Sequence, residues 1–210
     1  SDTFYEFSQP LMRQLGFPTL FCHRLITDDK GMVVDYKLRQ KDPKRQCVKA
    51  FHELNYRVLA AGDSYNDTTM LAEAESALAP EVIIASSTSS LMPSDIQAQM
   101  THPARLLVAH PMNPPHLVPL VELVAGDKTA PDSVSQARIF YEAMARVTVV
   151  ALREVPGHIA NRLTSALYRE AVHMVASGIA TVEDIDKAVA WGPGLRWALM
   201  GPHLVYHLGG

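Results

Sequence analysis

Two groups of polar side chains in the sequence have the composition of chemical sites, and the first is an acidic loop. Residues 62–67 read GDSYND, so that Asp63 and Asp67 lie four residues apart. Carboxylate oxygens suit a hard cation such as Mg²⁺, which bridges to a substrate phosphate. Ser1 and Lys44 would then supply a hydroxyl contact and a positive charge to that phosphate. The alternative, which spacing leaves open, is that the two acids cap the following helix.

The second group combines a histidine with hydroxyl, carboxyl and amide side chains. His110 ends one apolar run, and Glu122 lies in the next. A carboxylate beside a histidine fixes its tautomer and stabilises the imidazolium, which suits proton transfer at neutral pH. Ser89 and Asn161 would orient a substrate oxygen near that ring. The alternative is structural: a strand-end histidine, a surface acid and a helix cap, and spacing alone does not separate the two interpretations.

Strand and helix patterns place these side chains at strand ends. Residues 58–61 and 82–85 are apolar runs separated by a helical pattern, which predicts a strand–helix–strand unit. Further strands are predicted at 106–109, 118–124 and 147–152, and helices at 133–146 and 159–177. Ligands of open α/β sheets bind outside the carboxyl ends of the strands. Both groups therefore occupy ligand-binding positions.

The rest of the chain frames this unit. Upstream, the patterns predict a helix over residues 4–15, a hairpin of strands at 19–22 and 32–38, and a helix at 46–54. Downstream, Thr181 has the position of a helix N-cap, with Asp184 in the capping-box position. The change from alternating strands and helices to helices alone predicts a domain boundary near Glu154.

The composition indicates an ordinary globular chain. Of its 210 residues, 48% are hydrophobic and 20% charged, which allows a sizeable core. A formal net charge of -3 gives no reason to expect nucleic acid or a membrane surface as a partner. No apolar run approaches the roughly 20 residues of a membrane span, and no signal peptide opens the chain. We therefore expect a cytoplasmic protein, and two cysteines without a CxxC pair favour reduced thiols.

The first third of the chain resembles the haloacid dehalogenase-like phosphatases, in particular the phosphoserine phosphatase branch. The resemblance implies that GDSYND is an acidic magnesium loop with Asp63 and Asp67 as ligands, and that Ser1 and Lys44 bind phosphate. That family attacks phosphate with the first Asp of a DxD motif at a strand end, and no such motif occurs here. Without an attacking carboxylate no aspartyl-phosphate forms, so we expect a residual Mg²⁺ site and no phosphatase activity.

The remainder of the chain resembles the L-3-hydroxyacyl-CoA dehydrogenase superfamily, with the carnitine dehydrogenases and the gulonate dehydrogenase group nearest. The matching segments read IIASSTSSL, HPMNPPHLVPLVELV, PGHIANRL and GLRWALMGP. The resemblance implies that His110 is the general base and Glu122 the acid that orients it. It also implies that Ser89 binds substrate, that Asn161 is an active-site amide, and that Ser89 and Asn113 lie near the nicotinamide of NAD.

The dinucleotide fingerprint of that superfamily is missing from the sequence. Its members bind NAD through a G-x-G-x-x-G turn, whose glycines let the backbone approach the pyrophosphate. No G-x-G-x-x-G occurs in the 210 residues. The sequence therefore predicts that NAD binding is weak or lost.

These observations predict an α/β fold, with a Rossmann-like parallel-rich sheet and a C-terminal helical segment. We divide it into a phosphatase-like half-domain (1–80), the second half of a dehydrogenase-like Rossmann domain (81–153) and a truncated helical segment (154–210). The two resemblances, to residues 1–75 and 76–210, suggest a chimera with a small-molecule substrate and weak or no dehydrogenase activity. The alternatives are a magnesium- and phosphate-binding module or an inactive scaffold, with a homodimer formed through the helical segment.

Overall fold

The protein is described from a computed structural model, which covers residues 3–56, 67–76, 78–79 and 81–209. Contacts divide the chain into two units, Ser1–His158 and Ile159–Gly210. The first unit contains strands and helices, whereas the elements of the second are helices. The predicted strand at 58–61 lies outside the described residues.

The first unit opens with a helix, a hairpin and a second helix. These are α1 (Tyr5–Gln14), β1 (Arg24–Thr27), β2 (Val33–Lys37) and α2 (Pro43–Glu53). The hairpin is antiparallel, but its first strand lies at β1, so the strand predicted at 19–22 was wrong. The turn explains the shift, because the Asp28 carboxylate accepts the N–H groups of Lys30 and Met32 at 2.9 and 2.8 Å. This tight turn pairs the residues that flank it directly, Thr27 with Val33.

A four-stranded sheet forms the centre of the first unit. Its strands are β3 (Ile84–Ser86), β4 (Leu106–Pro111), β5 (Leu120–Ala125) and β6 (Val147–Ala151), in the order β3-β4-β5-β6. The outer two pairs are parallel and the β4–β5 pair is antiparallel. A parallel crossover needs a dozen residues or more, and residues 112–119 are too few. The predicted α/β fold with a parallel-rich sheet is confirmed.

Helices α3 (Thr68–Ser76), α4 (Pro93–Gln97) and α5 (Pro131–Ala143) complete the first unit. β4 is its most buried strand, with Leu106, Leu107 and Val108 at 0% exposure. Leu106 belongs to one apolar cluster, which also contains Val48, Met70, Leu71, Ala74, Ile84 and Ile96. Because Val48 lies in α2, the N-terminal segment and the sheet share one core.

The second unit consists of α6 (Ala160–Ala176), α7 (Val182–Trp191), α8 (Pro193–Leu199) and α9 (Pro202–Leu208). The predicted cap of α7 is confirmed, since Thr181 Oγ1 accepts the Asp184 N–H at 3.1 Å. The same hydroxyl donates to the Asp184 carboxylate at 2.9 Å. Among the described residues, no helix has the length and apolar character that crossing a bilayer requires.

Candidate active site

A buried histidine–carboxylate pair lies on the two central strands. His110 of β4 and Glu122 of β5 are directly opposite in the antiparallel register, so their side chains share one face of the sheet. His110 Nδ1 and Glu122 Oε2 are 2.7 Å apart. His110 is 6% exposed and Glu122 0%. The structure thus joins the two residues that the sequence suggested as a proton-transfer pair.

The His110–Glu122 pair is suited to exchanging a proton with a ligand. A buried carboxylate is costly unless it is paired, and its partner here is the imidazole. The contact to Glu122 occupies Nδ1 of His110, which leaves Nε2 as the nitrogen that would exchange a proton with a ligand. The carboxylate then stabilises the imidazolium that forms.

A serine-rich loop follows β3, next to the strand that carries His110. The loop is organised by Thr88, whose side chain is 0% exposed. Its hydroxyl oxygen accepts the N–H groups of Ser90 and Leu91 at 3.3 and 3.1 Å. Ser86 Oγ accepts the Thr88 N–H at 3.4 Å. Ser89 lies exposed at the centre of this ordered loop.

His158 joins the loop to the proton-transfer pair, and the sequence analysis missed it. Its Nε2 lies 3.1 Å from the Thr88 carbonyl oxygen. Its ring centroid is 5.1 Å from that of His110. The available signal was a histidine beside a glycine within the PGHIANRL segment, where only the asparagine was considered.

The remaining predicted dehydrogenase residues lie at different places. Asn113 is exposed and follows β4 by two residues, so it is at the same strand end as His110. Asn161 lies in the first turn of α6, in the second unit. The N-cap of α6 is Ile159, so the structural alternative of a capping role for Asn161 is wrong. The roles assigned to Ser89, Asn113 and Asn161 stay predictions.

The residues of the predicted magnesium and phosphate site are only partly described. Ser1 and Asp63 lie outside the described residues. Asp67 is buried and forms an ion pair with Lys44 of α2, so an ammonium group occupies the position beside this carboxylate. Within the described part of the chain, no cluster of three or more His, Cys, Asp or Glu side chains could hold a metal ion. The described residues therefore give no support to the predicted Mg²⁺ site.

The sheet and its buried pair define the protein as an α/β fold with a site suited to acid–base chemistry. Residues 66–155 match the NAD-binding domain of 3-hydroxyacyl-CoA dehydrogenase, and residues 157–210 match the C-terminal domain of that enzyme. Over residues 66–210, the chain is therefore similar to the two domains of 3-hydroxyacyl-CoA dehydrogenase.

Relatives of known name agree with this family. The chain is 53% identical to an L-carnitine dehydrogenase of Streptomyces coelicolor over 141 residues, which are 67% of this chain and 44% of that protein. It is 48% identical to an L-carnitine dehydrogenase of Bacillus cereus over 179 residues, 85% of this chain and 49% of the relative. The chain thus spans about half the length of these relatives.

A solved structure extends the likeness to nearly the whole chain. It is 5-formyl-3-hydroxy-2-methylpyridine 4-carboxylic acid 5-dehydrogenase, an NAD+-dependent dismutase. Its TM-score is 0.64 at 28% identity, and the match covers 98% of this chain and 62% of that one. A 3-hydroxyacyl-CoA dehydrogenase from Archaeoglobus fulgidus matches with a TM-score of 0.60 at 30% identity, over 68% of this chain and 49% of the other.

These matches bear on the two family resemblances that the sequence suggested. The dehydrogenase likeness begins at residue 66 in the domain match, before residue 76, where we expected it. The similarity to the Bacillus cereus protein takes in 179 residues, and so extends well into the first third of the chain. The comparisons support one dehydrogenase family, and they give no support to a phosphatase-derived part or a chimera.

Proposed function

We propose that the protein acts as an NAD-dependent dehydrogenase of a small 3-hydroxy acid, with L-carnitine as the first candidate substrate. The observation that carries the proposal is the buried pair of His110 and Glu122 at 2.7 Å. The choice of substrate is supported by relatives at 53% and 48% identity that are L-carnitine dehydrogenases. A 3-hydroxy acid loses a proton from its hydroxyl oxygen when it is oxidised, and a histidine base suits that step.

The proposed roles follow from the contacts. His110 Nε2 takes the proton from the substrate hydroxyl, because Nδ1 is held by Glu122. Glu122 stabilises the positive charge that the ring then carries. Ser89 donates a hydrogen bond to the substrate oxygen and holds it at the distance that proton transfer requires. The role of Asn161 stays the one expected from the sequence.

The described residues fit the nicotinamide end of NAD. Exposed hydroxyl and amide groups follow the carboxyl ends of the parallel strands β3 and β4, and such groups hydrogen-bond a carboxamide. Ser89 and Asn113 are the residues that would hold it. When bound, NAD supplies the acceptor of the hydride.

The affinity for NAD does not depend on the His110–Glu122 pair, because it is set mainly by the turn that binds the pyrophosphate. The 210 residues contain no G-x-G-x-x-G turn for the pyrophosphate, so the weak or lost affinity expected from the sequence stays a prediction. Titration of the chain with NADH, followed by the fluorescence of the nicotinamide, measures the dissociation constant. Submicromolar binding would show that the affinity expectation is wrong, and it would leave the proposed reaction intact.

Activity is tested by NADH formation with L-carnitine, 3-hydroxybutyrate, gulonate and a 3-hydroxyacyl-CoA at saturating NAD. We expect turnover with L-carnitine, reduced about a thousandfold in His110→Asn because the general base is lost. The matched control is His116→Asn, since His116 is an exposed histidine six residues downstream of His110. No NADH formation with any of the four substrates, in a chain that binds NADH, would contradict the proposed function.

A further inference from the structure

His158 is a buried histidine that the proposed proton transfer does not use. It is the last residue of the first unit and is 1% exposed. The structure brings it into contact with the Thr88 carbonyl oxygen and with the His110 ring, at an angle of 50° between the ring planes. It therefore contacts both the serine loop and the proposed base.

The contact to Thr88 determines which ring nitrogen carries the hydrogen. A carbonyl oxygen only accepts, so Nε2 of His158 is protonated and donates at 3.1 Å. Nδ1 is buried and makes no hydrogen bond to the described residues. Packing alone would favour phenylalanine, which fills the same space without an unsatisfied nitrogen. The donor at Nε2 is the feature that an apolar ring would lack.

The backbone at His158 has a conformation that non-glycine residues rarely adopt. Gly157 and His158 have φ angles of 76° and 50°, both in the left-handed region. Glycine tolerates this region freely, and a histidine there costs energy. Such strain persists where other interactions compensate for it, and it concentrates at functional sites.

The hydrogen bond to Thr88 acts directly on Ser89. The carbonyl of Thr88 and the N–H of Ser89 belong to one planar peptide group. When His158 holds the carbonyl, it sets the orientation of the peptide that leads into Ser89. The side chain of Thr88 orders the other half of the loop through the N–H groups of Ser90 and Leu91.

We propose that His158 is a positioning residue that holds the Thr88–Ser89 peptide and the His110 ring in a fixed relation. Its donor at Nε2 fixes the peptide before Ser89, and its ring packs against the imidazole of His110. The consequence for turnover rests on the proposed function, whereas the consequence for the order of the loop does not.

The test compares His158→Gln, whose side-chain amide can donate to the Thr88 carbonyl, with His158→Phe, which keeps a ring and lacks the donor. Amide hydrogen exchange of Ser90 and Leu91, measured by NMR, reports the order of the loop without any activity. We expect exchange about tenfold faster in His158→Phe and close to wild type in His158→Gln. If His158→Phe does not fold, His158→Asn replaces it, because its shorter amide does not reach the carbonyl.

Steady-state kinetics with L-carnitine provides the second readout. We expect kcat to fall about tenfold in His158→Phe and to recover in His158→Gln, with the affinity for NADH unchanged. Equal exchange and equal kcat in wild type and His158→Phe would overturn the proposal. Equal losses in Phe and Gln variants would also overturn it, since the donor would not matter. If the wild-type chain turns over no substrate, the proposed function fails, and the exchange rates alone decide the role of His158.

Discussion

Glu122 has no exposed surface, yet it keeps a carboxylate in the middle of an apolar strand. Its neighbours Leu123 and Val124 are equally buried, and an apolar side chain at this position would avoid the cost of desolvating a charge. The contact with His110 Nδ1 offsets part of that cost. At the residue scale, this acid is therefore placed to hold the imidazole of His110.

Replacing Glu122 with Gln keeps the shape of the side chain and removes its charge. We expect kcat with L-carnitine to fall about a hundredfold, because the imidazolium loses its stabilising partner. Glu170→Gln is the control, since Glu170 is exposed on α6. Circular dichroism and thermal unfolding verify that both variants fold. A Glu122→Gln variant with wild-type kcat would show that the carboxylate does not assist the histidine.

At the element scale, a buried glutamine of α4 hydrogen-bonds to the segments just before β4 and just after β5. Gln97 is 1% exposed, and its amide donates to the Pro103 carbonyl and to Thr129 Oγ1, both at 2.9 Å. Its carbonyl oxygen accepts the Lys128 N–H at 3.1 Å. One side chain thus ties α4 to the segments that precede β4 and follow β5. In this arrangement α4 lies very close to the backbone of Gly126, the residue after β5.

Gly126→Ala tests that close approach. A Cβ at this position would lie 2.5 Å from Gln97 Oε1 and 2.9 Å from the Ser94 backbone nitrogen. Either the backbone of α4 or the side chain of Gln97 must therefore shift. We expect the free energy of unfolding to fall by about 2 kcal/mol, measured by urea denaturation. Gly201→Ala is the control, because nothing lies within 4 Å of its added Cβ. Equal midpoints for the wild type and Gly126→Ala would contradict the close packing of Gly126 against Gln97 and Ser94.

On the scale of the whole first unit, the N-terminal segment is part of the same core as the sheet. Val48 of α2 is 5% exposed and belongs to the cluster that contains Ile84 of β3 and Leu106 of β4. A segment acquired from an unrelated enzyme would be expected to keep a core of its own. The shared core and the extent of the dehydrogenase likeness both favour a common origin for the N-terminal segment and the sheet.

Val48→Ala measures how far this core is shared. We expect a loss of about 1–2 kcal/mol in unfolding free energy, because two methyl groups leave a buried site. Hydrogen exchange of the β4 amides should accelerate by the same free energy if helix and sheet unfold together. Val33→Ala is the control, since Val33 is 58% exposed. Unchanged exchange in β4 would show that the N-terminal segment is energetically separate.

Local periodicity in the sequence was sufficient to predict the central strands. Apolar runs placed β4, β5 and β6 to within two residues, because a buried strand must be apolar whatever its neighbours are. The run TLFC at 19–22 was predicted as a buried strand without forming one, since the turn at Asp28 decides where the hairpin pairs. His110 and Glu122 were suggested by their residue types and strand positions, which left a structural alternative open, and their roles came from the resemblance to the dehydrogenase superfamily.

The sequence by itself identified His110 and Glu122 as candidates for proton transfer and predicted the segments that form β3 to β6. Only the tertiary structure decided that His110 and Glu122 face each other, because this depends on an antiparallel register that no single strand encodes. It alone brought His158 to the carbonyl of Thr88, 70 residues away in the chain. Long-range contacts of this kind follow from packing, and local patterns carry no information about them.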